Sequence, residues 1–241
     1  MLDFLIDIDN SIFLFFNGLH TPFLDRFMML FTGRFIWIPL YASILFALFK
    51  AFRPRVALAY LVGIGLAILL TDQTCATIIR PLVERLRPSN LMNPLSEYTH
   101  VVDGYRGGLY GFPSCHAANS FALAVFMSML LPRKNYVWLI MGWALLNSYS
   151  RLYLGVHYPG DLLVGALIGS SFGYICYRLA AQFDSGTRSD ALERLHRPMI
   201  ARHLPFRLIP VITNDSVVIK NGDVIGGIAF VTVLGILAFS I

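Results

Sequence analysis

The chain has 241 residues, 56% of them hydrophobic and only 14% charged, with a mean hydropathy of +0.65. That apolar share lies above a soluble domain's, and several runs approach the roughly 20 apolar residues that cross a bilayer. The sequence therefore reads as an all-α, polytopic membrane helical bundle and excludes a soluble globular enzyme. Its formal charge of +5 does not mark a nucleic-acid binder, because the basic residues are scattered over loops and membrane boundaries, where they set orientation and meet anionic lipid.

In chain order, Asp3, Asp7 and Asp9 come first, with no basic n-region, so a removable signal peptide is not expected. Phe13 to Phe16 precede Asn17-Gly18, Thr21-Pro22, Asp25 and Arg26. This pattern predicts a helix, a turn and a second helix lying at the membrane interface. The first clear span is predicted at 35–49, followed by a basic loop with Lys50, Arg53 and Arg55. The second covers 56–79 and ends at Arg80-Pro81, and a long polar segment fills 84–111. The third covers 116–131, and Pro132-Arg133-Lys134 makes a basic turn. The fourth covers 136–152, and the fifth runs from about Pro159 to Tyr177. These elements make one membrane domain, 1–182.

A polar segment, 183–223, with Gly186, Pro198, Pro205, Pro210 and Asn221-Gly222, is expected on the cytoplasmic side, with a short strand over Val211 to Val218. Residues 224–241 are apolar again and just long enough for a sixth span. The cysteines Cys75, Cys115 and Cys176 are too widely spaced for a disulfide framework or a metal cluster.

The loops after the first and third spans are short and basic, which places them in the cytoplasm. By alternation, the polar segment 80–115 and the stretch 150–161 then meet at the opposite, periplasmic face. Both hold costly groups for a membrane boundary. Arg80, Arg85 and Arg87 follow the second span, bracketed by Pro81 and Pro88. Such a group of guanidinium ions suits an anion. Gly111-Phe-Pro-Ser-Cys-His116 stands just before an apolar helix. Ser114 is a natural N-cap, so free N–H groups and the positive end of a helix would face the site, ready for phosphate. His116 falls in the first turn, placed to give a proton to a leaving oxygen. Ser150 to Asp161 adds Arg151, His157 and Asp161. Asp161 lies four residues after His157, a spacing that brings two side chains to one face of a helix. A carboxylate there would hold the imidazole in one tautomer. The sum is a phosphate cradle with a histidine nucleophile and a second histidine as acid, its positive charge supplied by protein, with no metal or cofactor needed.

Arg80, six residues, Arg87-Pro88; then Pro113-Ser114-Cys115-His116; then Ser150-Arg151, five residues, His157, three residues, Asp161: these three ordered blocks resemble the type-2 phosphatidic acid phosphatase superfamily, whose usual blocks are K-x6-R-P, P-S-G-H and S-R-x5-H-x3-D. The resemblance covers roughly residues 10–182. It implies a helical, metal-independent membrane enzyme that hydrolyses a lipid phosphate, with relatives among haloperoxidases that hold vanadate in the same pocket. Carried over by position, His157 is the nucleophile, Asp161 its partner and His116 the acid. Arg80, Arg87, Arg151, Ser114 and the Cys115 amide hold the phosphate.

Two positions depart from the pattern. Arg80 stands where lysine is usual, keeping charge and changing geometry. Cys115 stands where glycine is usual. If that position needs φ > 0, cysteine adds strain, and if it is helical the change is mild.

A site at the outer interface points to a membrane lipid as substrate. The segment 89–112, with Asn90, Asn93, Glu97, Tyr98, His100, Asp103, Tyr105 and Arg106, is expected to form a lid or head-group reader, with a structured turn in the run Asp103-Gly-Tyr-Arg-Gly-Gly. The serine-cysteine-histidine block is similar to bacterial phosphatases acting on the phosphate groups of lipid A. Undecaprenyl diphosphate and phosphatidylglycerophosphate are rival substrates. A transporter or channel is the competing class. It predicts charges in mid-span, of which Asp72 is the main example, whereas the other charges gather at one mouth.

Overall fold

The structure is a computed structural model and describes residues 2–132, 134–184 and 216–240. Among the described residues eight principal helices follow one another: α1 (Leu2–Asn17), α2 (Pro22–Phe31), α3 (Ile38–Ala51), α4 (Pro54–Val83), α5 (Cys115–Leu130), α6 (Lys134–Tyr153), α7 (Pro159–Ala181) and α8 (Ser216–Ser240). No strand occurs among the described residues. By length and composition two of the helices, α4 and the run Pro159–Asp184, are apolar enough to cross a membrane, and α3, α5 and Val224–Ser240 are shorter apolar helices.

Local sequence explains most boundaries. Thr21 caps α2 by accepting the Leu24 N–H at 3.2 Å, and Pro22 fills the first helical position. Pro54 opens α4 and Pro159 opens α7 in the same way. Near its end α4 passes through a π-helical turn, Thr74–Ile79, before its last α-turn, Arg80–Val83. Glu84 then takes a left-handed conformation, φ 50°, and ends the helix.

The packing is centred on α5, which lies between α4, α6 and α7. Gly165, Gly169 and Gly173 of α7 face the backbone carbonyls of Ser114, Ala118 and Ala122. A methyl group at Gly169 would collide with the Ala118 carbonyl, so the two helices approach as only a small-residue stripe allows. This close seam sets the start of α5 beside the start of α7, which is where the candidate chemistry begins. Apolar side chains fill the other contacts. Tyr60 of α4, Phe126 of α5 and Tyr177 of α7 meet with ring centroids 5.7–6.4 Å apart.

The C-terminal part differs from the sequence reading. Val211 to Asp215 of the expected strand lie outside the described residues, and Ser216 to Val218 are helical, not extended. α8 begins at Ser216, eight residues before the expected apolar start, and passes through Asn221-Gly222. A single internal glycine costs a helix only about 1 kcal/mol relative to alanine, too little to break a long apolar one. α8 packs on α2 and α3, burying Ile225, Ala229 and Ile236.

Candidate active site

The end of α4, the start of α5, the end of α6 and the start of α7 meet at one end of the bundle. The basic turns after α3 and α5 lie at the other end of these helices. Ser114 is the N-cap of α5, and its hydroxyl accepts the Ala117 N–H at 3.3 Å. Cys115 and His116 are the first two residues of α5. Cys115 is helical and outside the left-handed region, so the glycine-to-cysteine departure brings no backbone strain.

His157 is buried, 2% exposed, just before the Tyr158 cap of α7. Its Nδ1 faces Asp161 Oδ2 at 3.3 Å, and its Nε2 faces Arg87 Nη1 at 2.9 Å. Arginine only donates, so Nε2 is the acceptor, its lone pair available, and the ring proton sits on Nδ1 against the carboxylate. Burial, and then the charges of Arg87, Arg151 and Arg80, hold the imidazole pKa well below its ordinary value, which favours this neutral form. The four-residue spacing works here for a reason other than the expected one. The pair does not share a helix face: His157 precedes the helix, and Asp161, in its first turn, reaches back over the N-terminus to accept the Tyr158 N–H at 3.1 Å as well. Gly111 is the close neighbour that makes room, since a Cβ there would lie 3.1 Å from Asp161 Oδ2 and 3.5 Å from His157 Nδ1.

Three guanidinium groups surround this pair. Arg87 also donates to the Val156 carbonyl at 2.9 Å. Arg80 donates to the Pro113 carbonyl at 3.2 Å and to Cys115 Sγ at 2.8 Å. Arg151 donates to Thr32 Oγ1 at 2.9 Å and to the Tyr105 hydroxyl at 2.8 Å. The Nε–H groups of Arg80, Arg87 and Arg151 are all buried without an acceptor among the described residues, a condition that native structures rarely leave unmet. Burial, with Arg80 and Arg151 close by, pulls the Arg87 pKa down to about 10. An anion among these cations would relieve their mutual repulsion. His116 Nε2 lies 3.3 Å from Thr32 Oγ1, the hydroxyl that also accepts from Arg151.

All eight residues singled out from sequence thus stand at this end of the bundle, and Arg85, grouped with the anion-binding arginines, has another task. It bridges Asp9 at 2.7 Å and Asp161 at 3.0 Å and lies over the Tyr158 ring. The segment 89–112 also departs from expectation. It is a pinned wall, built on short 3₁₀ turns at Pro94–Glu97 and Val102–Gly104. Asn93 ties it to the Arg87 carbonyl and the Tyr158 hydroxyl, and His100 is bound to Asn17 and Asp25. The expected turn is there, with Asp103 at φ 48° and Gly104 at φ 72°. Of the residues named in this segment, Tyr105 is the one whose side chain bonds a guanidinium group of the arginine trio, that of Arg151.

Sequence reasoning missed Asp9, Thr32 and Asn147. Asp9 and Thr32 lie in a segment read as two interfacial helices, and Asn147 lies within an apolar run, so no local pattern marked them. Beside Cys115 and His116 opens a cavity of about 730 Å³ between α3, α4, α5 and α6. Its lining includes the polar residues Arg34, Asp72, Asn119 and Asn147, and Ile44, Leu61, Ile64 and Leu123 are among its apolar ones.

The sequence model of the PAP2 superfamily matches residues 56–184. The chain is 53% identical over 190 residues to the lipid A 4'-phosphatase of Bacteroides thetaiotaomicron, covering 79% of this chain and 84% of that one. Among solved structures it is similar to Aquifex aeolicus LpxE, with a TM-score of 0.52, 27% identity, and coverage of 70% of this chain and 93% of that one. The fold is also that of a transmembrane PAP2 type phosphatidylglycerolphosphate phosphatase from Bacillus subtilis, with a TM-score of 0.52, 22% identity, and coverage of 76% and 87%.

Proposed function

The chain belongs to the PAP2 superfamily and is a membrane lipid phosphatase, and on that premise we propose that it removes a phosphate from lipid A at the periplasmic face of a bacterial inner membrane through a phosphohistidine. The observation that carries the reading is the trio of buried, unpartnered guanidinium Nε–H groups around a histidine whose Nε2 lone pair is available. Phosphate oxygens take up Arg80, Arg87 and Arg151, together with the N-terminal N–H groups of α5 behind Ser114 and Cys115. The Nη1 of Arg87 turns from His157 to the phosphate, and Nε2 attacks phosphorus in line with the ester oxygen. The P–O bond breaks toward that oxygen, which takes a proton from His116. Asp161 stabilises the charge that grows on the His157 ring. Water, deprotonated by His116, then attacks phosphorus, releases inorganic phosphate and restores His157.

Two observations support a lipid substrate. The apolar cavity starts beside the acid and offers an acyl chain a path away from the phosphate. The relative with 53% identity is a lipid A 4'-phosphatase. The periplasmic orientation rests on the short basic turns at the opposite end of the helices.

The test is phosphate release by purified protein from lipid A, undecaprenyl diphosphate, phosphatidylglycerophosphate and phosphatidic acid. Lipid A is expected to turn over with the highest kcat/KM, in the presence of EDTA and not after His157→Ala, and vanadate is expected to inhibit. A higher kcat/KM on another lipid overturns the substrate, and full activity of His157→Ala overturns the nucleophile. Loss in EDTA restored by a divalent ion overturns the metal-independent route.

A further inference from the structure

His116 has to present one proton to one oxygen, and an unrestrained imidazole would not do so. Its restraints come from two places that the three sequence blocks do not include. On one side is Thr32, which ends α2. Its hydroxyl oxygen lies 3.3 Å from His116 Nε2 and accepts from Arg151 Nη1 at 2.9 Å. One hydroxyl thus joins the acid to an arginine of the phosphate cradle. On the other side is Asn147 of α6, buried and 5% exposed. Its Nδ2 donates to Ser120 Oγ at 2.6 Å, and Ser120 donates in turn to the His116 carbonyl at 2.8 Å. With the Asn147 nitrogen so engaged, its Oδ1 is left buried and without a hydrogen-bond partner among the described residues, in the cavity wall that it shares with His116. The ring is thus held by the Thr32 hydroxyl, and the Asn147 carbonyl oxygen is a free acceptor on the same wall.

We propose that Thr32, with Asn147 as a second support, is a positioning residue for His116, holding its Nε2 edge beside the leaving oxygen of a phosphate ester bound by Arg151. The inference rests on the reading of His116 as the acid. The geometry gives Thr32 the larger part, because it fixes distance as well as direction: whatever Arg151 binds lies within a hydroxyl's reach of Nε2. It also gives α1 and α2, which precede the matched residues 56–184, a role beyond anchorage. Asp9 of α1 acts similarly on the nucleophile's side, through Arg85 to Asp161.

A positioning role for the acid has a signature that a packing role lacks. An alkoxide leaves poorly without a proton, whereas a nitrophenolate leaves readily without one. Thr32→Val keeps the shape and removes the hydroxyl, and Asn147→Leu does the same for the carboxamide. The measurement is kcat/KM, which covers steps only through departure of the leaving group, for a matched alkyl phosphate and 4-nitrophenyl phosphate. Thr32→Val is expected to lose about tenfold or more on the alkyl ester and less than about threefold on the nitrophenyl ester, a share of the 10²–10⁴-fold that general acids supply. Thr32→Ser is expected to restore the alkyl reaction, and Asn147→Leu carries the same comparison if Thr32→Val does not fold. His116→Ala is the reference and should show the same selective loss. If it loses equally on both esters, the acid assignment falls and this inference with it. If His116→Ala is selective while Thr32→Val and Asn147→Leu lose equally on both esters, or on neither, the positioning role alone is overturned.

Discussion

Arg80 Nη2 lies 2.8 Å from Cys115 Sγ, so the two positions that depart from the usual superfamily blocks touch each other. Arginine in place of lysine brings a fork, and one nitrogen of that fork meets both the Pro113 carbonyl and the cysteine sulfur that replaces glycine. The departures therefore act as a pair. A double-mutant cycle of Arg80→Lys and Cys115→Gly, read in kcat/KM on the lipid substrate, is expected to show coupling of about 1 kcal/mol, within the range for residues in contact. Additive losses would separate the contact from function.

Asp161 serves three partners: His157, Arg85 and the Tyr158 amide. Asp161→Asn keeps the size and removes the charge that fixes the Nδ1–H tautomer. It is expected to lower kcat by about 10²- to 10⁴-fold, as loss of a positioned proton-transfer partner does, with a smaller change in KM. Asp9→Asn, one bond further out on Arg85, is expected to lower kcat less than tenfold. Comparable losses from both would mean that Asp161 serves structure more than chemistry.

The pH dependence follows from the position of His157. Burial and the three arginines hold its pKa below the ordinary value of about 6.5. Because the attacking form is the neutral ring, a lowered pKa keeps the free enzyme active at pH values where an ordinary histidine is already protonated. The acid limb of kcat/KM is expected below pH 6.5. Arg87→Gln removes the nearest cation, so the pKa should rise and the limb should shift to higher pH. A limb that stays in place in Arg87→Gln would assign it to another group.

The close seam between α5 and α7 predicts a sharp contrast between two glycines. A Cβ at Gly169 meets the Ala118 backbone, whereas nothing lies within 4 Å of one at Gly142. Gly169→Val is expected to lose about 1–3 kcal/mol or more through overpacking and to lower both the melting temperature and phosphate release. Gly142→Ala should leave both within error. Thermal unfolding in detergent followed by size-exclusion recovery checks the pair.

The sequence by itself determined the helical membrane class, most of the places where helices start and stop, and the eight candidate residues that the fold brings to one end of the bundle. Prolines, a serine cap and unbroken apolar runs act locally, and Arg87, His116 and His157 declare their chemistry by residue type and spacing. The length of α8 was not legible, because residues 216–223 read as the end of a polar segment until the apolar helix that follows carries them into its own first turns. Nor was the division of labour among the arginines: Arg85 reads like Arg87, and only packing sets Asp9 and Asp161 on either side of it. Thr32 and Asn147 were invisible for the same physical reason. A hydroxyl or a carboxamide gains meaning from what stands about 3 Å away, and their partners lie 84 positions along the chain for Thr32 and 31 for Asn147, brought near only when α2, α5 and α6 pack together.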